Sequence, residues 1–241
     1  MLALLLAIAL DCGRQGESAK PSEPVPAAVA PPVPAAPAVV APPAAVAPPT
    51  VETGFTALFD GTSLRGWIGD TAGYAVEDGA IVCQPKGTNL LTESIWGDFE
   101  LRLEFKLTPG ANNGIGIRAP RDGDAAYLGM ELQVLDNSAE QYKSLKPWQY
   151  HGSIYGVIPA KREFQKPVGE WNAQTIIAKG GRIQVILNGT VIVDADITEA
   201  AAKGTIDGNE HPGLRRLSGH IGFLGHGDRV AYRNIRIREL H

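Results

Sequence analysis

The alternating segment FELRLEFKL, residues 99–107, constrains the fold of this chain most. Apolar side chains occupy every odd position from Phe99 to Leu107, and charged side chains occupy every even position from Glu100 to Lys106. Because successive side chains of a β-strand point to opposite faces, one face of this segment must be buried and the other solvated. Strands of this type belong to antiparallel sheets that pack on one face only.

Similar segments recur from residue 54 to the C-terminus. RIQVIL and TVIVD flank Asn188-Gly189, which is the strongest short hairpin signal in the sequence. Only DITEAAAK, residues 196–203, is typical of a helical turn, and no amphipathic helices alternate with the strands. About a dozen short strands separated by turns predict an all-β fold, a two-sheet antiparallel sandwich of the jelly-roll type.

The composition and charge exclude some classes of function. The chain has 241 residues and a formal net charge of -4, without a basic run. Nucleic acid is therefore not an expected partner. The two cysteines, Cys12 and Cys83, have the spacing of neither a zinc site nor a disulfide framework. Cys83 lies in the apolar segment AIVCQ, and we expect it to be a small buried side chain.

The first residues, MLALLLAIAL, form an apolar run just before Cys12. A spanning helix needs roughly 20 apolar residues, so this run is too short to cross a bilayer and is typical of a secretory signal. A cysteine after such a run is similar to the lipid-attachment site of bacterial lipoproteins. We expect residues 1–12 to be a signal or lipoprotein-type segment, lipidated at Cys12 and exported to the periplasm or outer cell envelope. An ordinary cleaved signal, in which Cys12 has no role, is the alternative.

Residues 13–53 are rich in proline and alanine. Proline fixes φ and removes a backbone donor, so this segment favours an extended conformation and cannot build a packed core. We expect a disordered linker that tethers one folded domain, residues 54–241. Membrane contact is expected only through the lipid anchor.

The segment ELQVLD, residues 131–136, mixes polar side chains with the apolar residues of a strand. Alternation places Leu132 and Val134 in the core and points Glu131 and Gln133 from the opposite surface of the sheet. Asp136 ends the segment. Either this strand faces water, or its polar side lines a binding site.

A second segment, NNGIGIR, residues 112–118, is divided between two faces in the same way. Ile115 and Ile117 take the core side, whereas Gly114, Gly116 and Arg118 take the other side. Glycine within a strand often marks close approach by a ligand. The two segments together predict a shallow groove with a glycine floor and a cation at one end. A bulge with a solvent-facing Arg118 is the alternative.

Aromatic and amide side chains cluster near these segments in the sequence, and the rings are those of Tyr127, Trp148, Tyr150, His151 and Tyr155. Sugars present apolar C–H faces and hydroxyl groups, so aromatic rings beside amides and charges are a suitable complement. The pattern predicts a carbohydrate substrate. The expected substrate-binding residues are Asn113, Gln133, Asp136, Trp148, His151 and Tyr155.

A series of motifs resembles the 3-keto-disaccharide hydrolase domain family. In order they are FTALFDGTSLRGW, YAVEDGAIV, DFELRLEFKL, NNGIGIR, MELQVLD, GSIYGVIPA, KPVGEWN, VILNGTVIVD, GFLGHG and VAYRNIRIREL. The resemblance covers residues 54–240 and implies a concanavalin A-like jelly roll in an exported bacterial protein. It also implies cleavage of glycosides that are already oxidised at C3 of the sugar.

The implied chemistry begins at C2, because the C3 ketone acidifies the proton on that carbon. A base removes the proton, the group on C1 leaves by elimination, and water then adds. Glu131 or His226 would be the base, and Arg118 or a bound divalent metal would stabilise the oxyanion. His226 is given this role because it lies in GFLGHG, one of the motifs of the resemblance. Asp136 would orient a partner or bind a hydroxyl.

Two other functions remain open from the sequence. The same sandwich serves non-catalytic carbohydrate-binding modules, so a module on a tethered stalk is one alternative. A conventional jelly-roll glucanase is the other. Glu131 matches the first position of its Glu-x-Asp-x-x-Glu pattern, but Gln133 and Asp136 depart from it, which disfavours a two-carboxylate glycosidase.

The sequence also bears on cofactors and supply of substrate. No short ligand spacing supports a divalent metal ion, which stays an open question. The chain has no dinucleotide fingerprint, so a separate sugar 3-dehydrogenase would have to supply the oxidised substrate.

Overall fold

The computed structural model describes residues 52–241 of the chain. The predicted signal segment 1–12, the lipidation of Cys12 and all but the last two residues of the linker 13–53 lie outside the described residues. Within residues 52–241, no helix has the length and apolar character needed to cross a membrane.

Short strands dominate the described part of the chain. In chain order they are β1 (Thr56–Ala57), β2 (Trp67–Gly69), β3 (Tyr74–Glu77), β4 (Ala80–Cys83), β5 (Asn89–Thr92), β6 (Phe99–Leu107), β7 (Asn112–Ala119), β8 (Met130–Leu135), β9 (Trp171–Lys179), β10 (Arg182–Leu187), β11 (Thr190–Asp196), β12 (His220–Gly225) and β13 (Val230–Glu239). Two short α-helices connect them, α1 (Ala125–Leu128) and α2 (Thr198–Lys203). Single 3-10 turns lie at Thr71–Gly73, Glu140–Tyr142, Pro147–Gln149 and Pro212–Arg215.

The strands form two antiparallel sheets. The larger sheet has eight strands in the order β11-β10-β9-β6-β13-β4-β3, with β1 paired to β13. The smaller sheet has five strands in the order β2-β5-β12-β7-β8. Neighbours in the sheets are often far apart in the chain, as in a jelly roll, and the predicted two-sheet sandwich is confirmed.

One apolar core lies between the two sheets. The larger sheet contributes Phe99, Leu101 and Phe105 from β6, and the smaller sheet contributes Ile115 from β7 and Leu132 from β8. Each of these five side chains is fully buried. The buried face of β6 is therefore the apolar face that the alternation of FELRLEFKL predicts.

Several predicted elements are confirmed at their predicted positions. Asn188 and Gly189 join β10 to β11 with positive φ angles of 49° and 86°, as a tight two-residue hairpin requires. The helical turn predicted in DITEAAAK is α2, and Cys83 is a fully buried free cysteine. The short strands β1, β2 and β5 were not predicted, because two to four residues are too few to display alternation.

The segment that follows the 3-10 turn Pro147–Gln149 closes the outer edge of β8. Its backbone hydrogen bonds run from Gly152 N to Gln133 O, from Gln133 N to Ser153 O and from Tyr155 N to Glu131 O, at 2.8–3.0 Å. We call this segment, residues 152–155, the edge segment. It extends the backbone ladder of the smaller sheet by one partner beyond β8.

Candidate active site

Glu131 lies on β8, opposite Gly116 of β7 in the strand register. Its neighbour Leu132 is fully buried in the core, so Glu131 and Gln133 point from the outer surface of the smaller sheet, as predicted. We call this surface, formed by Gly114, Gly116, Glu131 and Gln133, the site face.

Gly114 makes room for the Glu131 carboxylate. It pairs with Gln133 across β7 and β8, and the Glu131 side chain lies over its α-carbon. A Cβ at position 114 would overlap Glu131 Oε1. The predicted glycine floor is therefore real at Gly114, whereas the Leu224 side chain of β12 already covers Gly116.

His226 is the titratable partner of Glu131. Its Nε2 lies 3.8 Å from Glu131 Oε1, and the two side chains are 51% and 6% exposed. Glu131 Oε1 has no hydrogen-bond partner within residues 52–241. The Glu131 carboxylate raises the pKa of His226 above its ordinary value, although partial burial of the imidazole opposes this. The pair joins a buried carboxylate to an accessible, more basic imidazole.

Asn113 fixes the backbone that carries His226. Its Oδ1 accepts a hydrogen bond from His226 N at 2.9 Å, and its Nδ2 donates to Asp228 O at 3.2 Å. The backbone N–H of Asn112 adds a bond to Asp228 Oδ2 at 3.0 Å. Asn113 is fully buried on the core side of β7, so the predicted contact between Asn113 and substrate is wrong. Its position makes it a positioning residue.

Gln133 and Asn112 supply an amide pair on the site face. Gln133 Nε2 donates to Asn112 Oδ1 at 2.8 Å. Gln133 Oε1 and Asn112 Nδ2 make no hydrogen bond with other described residues, which leaves one acceptor and one donor for a ligand. Asn112 was not predicted, although the alternation of NNGIGIR places it on the same face as Gly114.

Tyr155 flanks Glu131 on the other side of β8. Because Ile154 of the edge segment is buried in the core, the next side chain, Tyr155, projects on the side of Glu131. The Tyr155 hydroxyl accepts a hydrogen bond from Gln149 Nε2 at 3.3 Å. Trp148, in the same 3-10 turn as Gln149, is half-buried.

Asp136 holds a turn and does not offer a free carboxylate to the site face. Its Oδ1 accepts hydrogen bonds from Ser138 N and Ser138 Oγ at 2.9 and 2.6 Å, and its Oδ2 accepts one from Gly110 N at 2.8 Å. Burial raises the pKa of Asp136, but these hydrogen bonds outweigh it and leave the pKa below its ordinary value. The predicted role in binding or orienting substrate is replaced by a structural one.

His151 lies in the core, contrary to its predicted place in the site. It is 2% exposed, and its ring lies 4.8 Å from that of Phe105 on the larger sheet. Its two ring nitrogens have no hydrogen-bond partner among residues 52–241. Burial lowers the pKa of His151 to about 4, opposed in part by the neighbouring Gln174 amide. The ring is therefore neutral at pH 7.

Arg118 does not reach the site face, so its predicted position beside Glu131 is wrong. The pairing of β7 with β12 shifts register between His220 and Gly222, and Arg118 has a positive φ of 49°. This bulge turns the guanidinium away from the outer surface. It is 1% exposed and bonds Gly180 O at 2.8 Å, Arg216 O at 3.2 Å and Asp98 Oδ1 at 3.1 Å.

The described residues contain no cluster of side chains that could form a metal site. Within residues 52–241, no group of three or more His, Cys, Asp or Glu side chains could together hold an ion. Glu131 and His226 are two such side chains at short distance, but they lack a third.

The chain is similar to several known proteins. A 3-keto-disaccharide hydrolase from Bacteroides thetaiotaomicron is 28% identical over 228 residues, covering 78% of this chain and 79% of that protein. A crystal structure of a candidate glycosyl hydrolase from Parabacteroides distasonis is 30% identical with a TM-score of 0.69, covering 77% of this chain and 99% of that chain. A second from the same organism is 26% identical with a TM-score of 0.68, covering 78% and 94%.

The family comparison covers nearly all of the described residues. Residues 54–238 match the family described as the 3-keto-alpha-glucoside-1,2-lyase-like domain. This range contains both sheets and the pair formed by Glu131 and His226, and it agrees with the range of motifs that predicted the resemblance. The chain belongs to the 3-keto-alpha-glucoside-1,2-lyase-like domain family.

Proposed function

We propose that this protein cleaves 3-keto-glycosides by abstraction of the C2 proton, elimination of the group on C1 and addition of water. Family membership carries the coarser statement, a carbohydrate-active enzyme of the glycoside hydrolase-like class. The observation that carries the proposal is the pair of Glu131 and His226 above the glycine floor, with a carboxylate oxygen that has no partner in the described residues.

Glu131 is the base in this proposal. A carboxylate with an unoccupied oxygen can take the C2 proton when the C3 ketone has acidified it. The C2–H bond breaks, the proton moves to Glu131, and the electron pair forms an enolate on the C3 oxygen. Asn112 Nδ2, which no described residue accepts from, is the donor available to that oxygen.

His226 is the acid. The raised pKa keeps a larger fraction of its imidazole protonated near neutral pH, and its exposure lets it reach the oxygen on C1. The enolate electrons return to form the C1–C2 double bond, the bond from C1 to the leaving oxygen breaks, and that oxygen takes the proton of His226. Water then adds, with its hydroxide joining C1, its proton returning to His226 and the proton of Glu131 returning to C2.

The remaining polar groups of the site face fit a sugar. Gln133 Oε1 can accept a hydrogen bond from a sugar hydroxyl, and Tyr155 offers a ring face and a hydroxyl beside Glu131. Only one carboxylate lies on this face among the residues predicted for the site, because Asp136 is occupied in its turn. A glycosidase with two carboxylates about 5 Å apart is therefore a poorer fit.

The test uses the full chain with 3-keto-trehalose, unlabelled or with deuterium at C2, and measures release of the second sugar in single turnovers. Deuterium is expected to slow release. The Glu131→Gln variant is expected to lose roughly 10²–10⁴-fold in rate, as for removal of a general base. Glu239→Gln, which changes an exposed carboxylate at the end of β13, is the matched control and should keep the wild-type rate.

Two results would contradict the proposal. One is release at the wild-type rate by Glu131→Gln, and the other is the same rate for labelled and unlabelled substrate. If the wild type binds trehalose but cleaves no 3-keto-glycoside, the protein is a non-catalytic carbohydrate-binding module. Treatment with a chelator tests whether a divalent metal takes part.

We also propose the setting of this activity. The apolar run before Cys12 and the linker 13–53 support export to the periplasm or outer envelope with a lipid on Cys12. Cys12→Ala should abolish incorporation of labelled palmitate and release the protein from the membrane fraction. A sugar 3-dehydrogenase must provide the ketone, because elimination at C1 requires it.

A further inference from the structure

A buried Asp207–His211 pair lies next to the site face. His211 Nε2 lies 3.0 Å from Asp207 Oδ2, and their side chains are 2% and 6% exposed. Thr205 Oγ1 and the backbone N–H of Asn209 also donate to Asp207 Oδ1, at 2.8 and 3.0 Å. We call residues 205–211 the clamp loop, because these bonds close it on itself around one carboxylate.

The clamp loop contacts α1 through a pair of tilted aromatic rings. The ring of His211 lies 4.5 Å from the ring of Tyr127, with an angle of 37° between their planes. The 3-10 turn Pro212–Arg215 that follows packs backbone to backbone on Gly129, at the end of α1. α1 itself rests on the outer side of the smaller sheet, where Ala125 packs with Leu224. Tyr127 is half-buried and keeps part of its ring accessible.

The same loop contacts the edge segment through Gly156. Asp207 N donates to Gly156 O at 3.2 Å, and a Cβ at position 156 would overlap both Asp207 and His211. Gly156 directly follows Tyr155, which flanks Glu131. The clamp loop therefore joins the two tyrosines, Tyr127 and Tyr155, from behind.

We propose that Tyr127 and Tyr155 form an aromatic subsite for the sugar that does not carry the ketone, and that Asp207 and His211 position it. This inference rests on the proposed function for the place of the oxidised ring. Tyr127 and Tyr155 contact substrate in it, and the buried pair acts only through them.

The order of elements fixes which sugar the subsite takes. From one side to the other the site face runs β12, β7, β8 and then the edge segment. The Glu131 carboxylate leans over Gly114 of β7, towards His226, which follows β12. The ring that reacts must lie over that pair. The ring on the far side of Glu131 then meets Tyr155, and Tyr127 is joined to Tyr155 through the contacts of His211 with Tyr127 and with Gly156.

The chemistry of the clamp loop suits a positioning role. Burial raises the pKa of Asp207, but hydrogen bonds from His211, Asn209 and Thr205 outweigh it and lower the pKa to about 2. The carboxylate therefore stays charged and keeps its bonds to the loop across neutral and mildly acidic pH. A ring held by such a loop loses little freedom when a sugar stacks on it.

The test compares two substrates in steady-state kinetics, 3-keto-trehalose and methyl 3-keto-glucoside. Tyr127→Ala should raise KM for the disaccharide roughly tenfold, equivalent to about 1.4 kcal/mol, with kcat nearly unchanged. The methyl glucoside, which has no second sugar, should keep its wild-type KM. Asp207→Asn should shift the disaccharide KM in the same direction by a smaller factor, and Tyr127→Phe should restore the wild-type value.

Phe164→Ala is the matched control, because it removes an exposed aromatic ring from another loop. An unchanged disaccharide KM in Tyr127→Ala overturns the proposal, and so does an equal rise for both substrates. Thermal unfolding confirms that each variant folds, and Tyr127→Leu replaces Tyr127→Ala if the smaller side chain destabilises the loop.

A second measurement separates this proposal from the proposed function. Wild-type turnover of methyl 3-keto-glucoside tests the chemistry alone. Calorimetric binding of unoxidised trehalose tests the subsite without chemistry, and Tyr127→Ala should weaken it roughly tenfold. Retained wild-type affinity in that titration overturns the subsite, whatever the turnover.

Discussion

The carboxylate of Glu131 and the imidazole of His226 differ most in their access to water. Glu131 lies below the surface in the space that Gly114 leaves open, whereas His226 projects into solvent at the end of β12. A carboxylate that is shielded in this way acts more strongly on its neighbour than an exposed one would. Glu131 is therefore the largest cause of the raised pKa of His226, and the charges of Asp228 and Asp124 act in the same direction.

Substituting Glu131→Gln is expected to lower the pKa of His226. In the wild type the pKa lies above 6.5, so the pair stabilises the protonated fold below pH 6.5 and loses this contribution as the pH rises through the folded pKa. NMR titration of the His226 ring protons measures the shift directly. Glu239→Gln should leave the midpoint in place, and an equal midpoint in Glu131→Gln would show that another charge sets it.

At the scale of single residues, alternation correctly predicted the face of the sheet on which Glu131, Gln133 and Gly114 lie. Their strands are regular over that length, so period two decides the face. Asn113 was predicted to contact substrate, but Asn112 is the residue on the site face. The same alternation places these two neighbours on opposite faces of β7. His151 could not be placed, because a long connection has no period and its burial depends on pairing of the edge segment with β8.

The bulge in β7 is the reason that Arg118 does not reach the site face. One extra residue between Gly116 and Ala119 reverses the direction of the next side chain, so Arg118 crosses from the outer surface to the interior. The positive φ of an arginine is not visible in the sequence, where NNGIGIR reads as an unbroken alternation. A guanidinium predicted to meet substrate instead ties β7 to the turn at Gly180 and to Arg216.

Arg118→Met is expected to destabilise the protein without changing the chemistry. The substitution removes the ion pair with Asp98, which is 32% exposed, and leaves two carbonyl oxygens without their donor; the unsatisfied oxygens account for most of an expected loss of about 3 kcal/mol. Urea denaturation measures this loss, and kcat per folded molecule should stay at the wild-type value.

Arg121→Met provides the comparison, because Arg121 is exposed. It should change neither stability nor rate. A large fall in kcat of Arg118→Met with unchanged stability would contradict the structural role and return Arg118 to the oxyanion.

For the whole molecule, the sandwich buries a histidine between its sheets. His151 packs on Phe105 near Gln174, and none of the ring or amide nitrogens in this interior pair has a partner among residues 52–241. The ring can enter the core only as the neutral species. Folding therefore excludes one proton that the unfolded chain would bind.

The stability of the protein is expected to fall as the pH drops from 6.5 towards 4. The folded pKa of His151 is about 4 and the unfolded value is 6.5, so the unfolded state binds more protons in this window. The full effect is about 3 kcal/mol, because each tenfold difference in proton affinity between the two states corresponds to roughly 1.4 kcal/mol. Denaturant titrations at several pH values measure it.

His151→Leu should remove most of this pH dependence while keeping the volume of the core. His241→Asn, at an exposed position, should leave the slope as in the wild type. The same slope in His151→Leu would mean that other groups bind the proton.

The overall architecture was predictable because many strands and turns agree with one another. The alternation in each long strand, such as β6, β9 or β13, predicts its buried face independently. A two-sheet sandwich buries all of these faces together. The contacts of the clamp loop with α1 and with Gly156 join parts of the chain that are distant in sequence. Such pairings leave no local pattern, so Asp207 and His211 were not among the predicted site residues, whereas Tyr127 was noted only as a member of the aromatic cluster.

The edge segment has a consequence for solubility. A terminal strand with unpaired backbone groups invites intermolecular strand addition, and β8 would be one without its cover. The three bonds from residues 152–155 pair the carbonyl of Glu131 and both backbone groups of Gln133 within the same chain. Because Tyr155 belongs to the edge segment, detachment of this segment from β8 would both disturb the proposed sugar contact and expose an aggregation-prone strand edge. The same few backbone hydrogen bonds therefore protect the protein from self-association and keep Tyr155 beside Glu131.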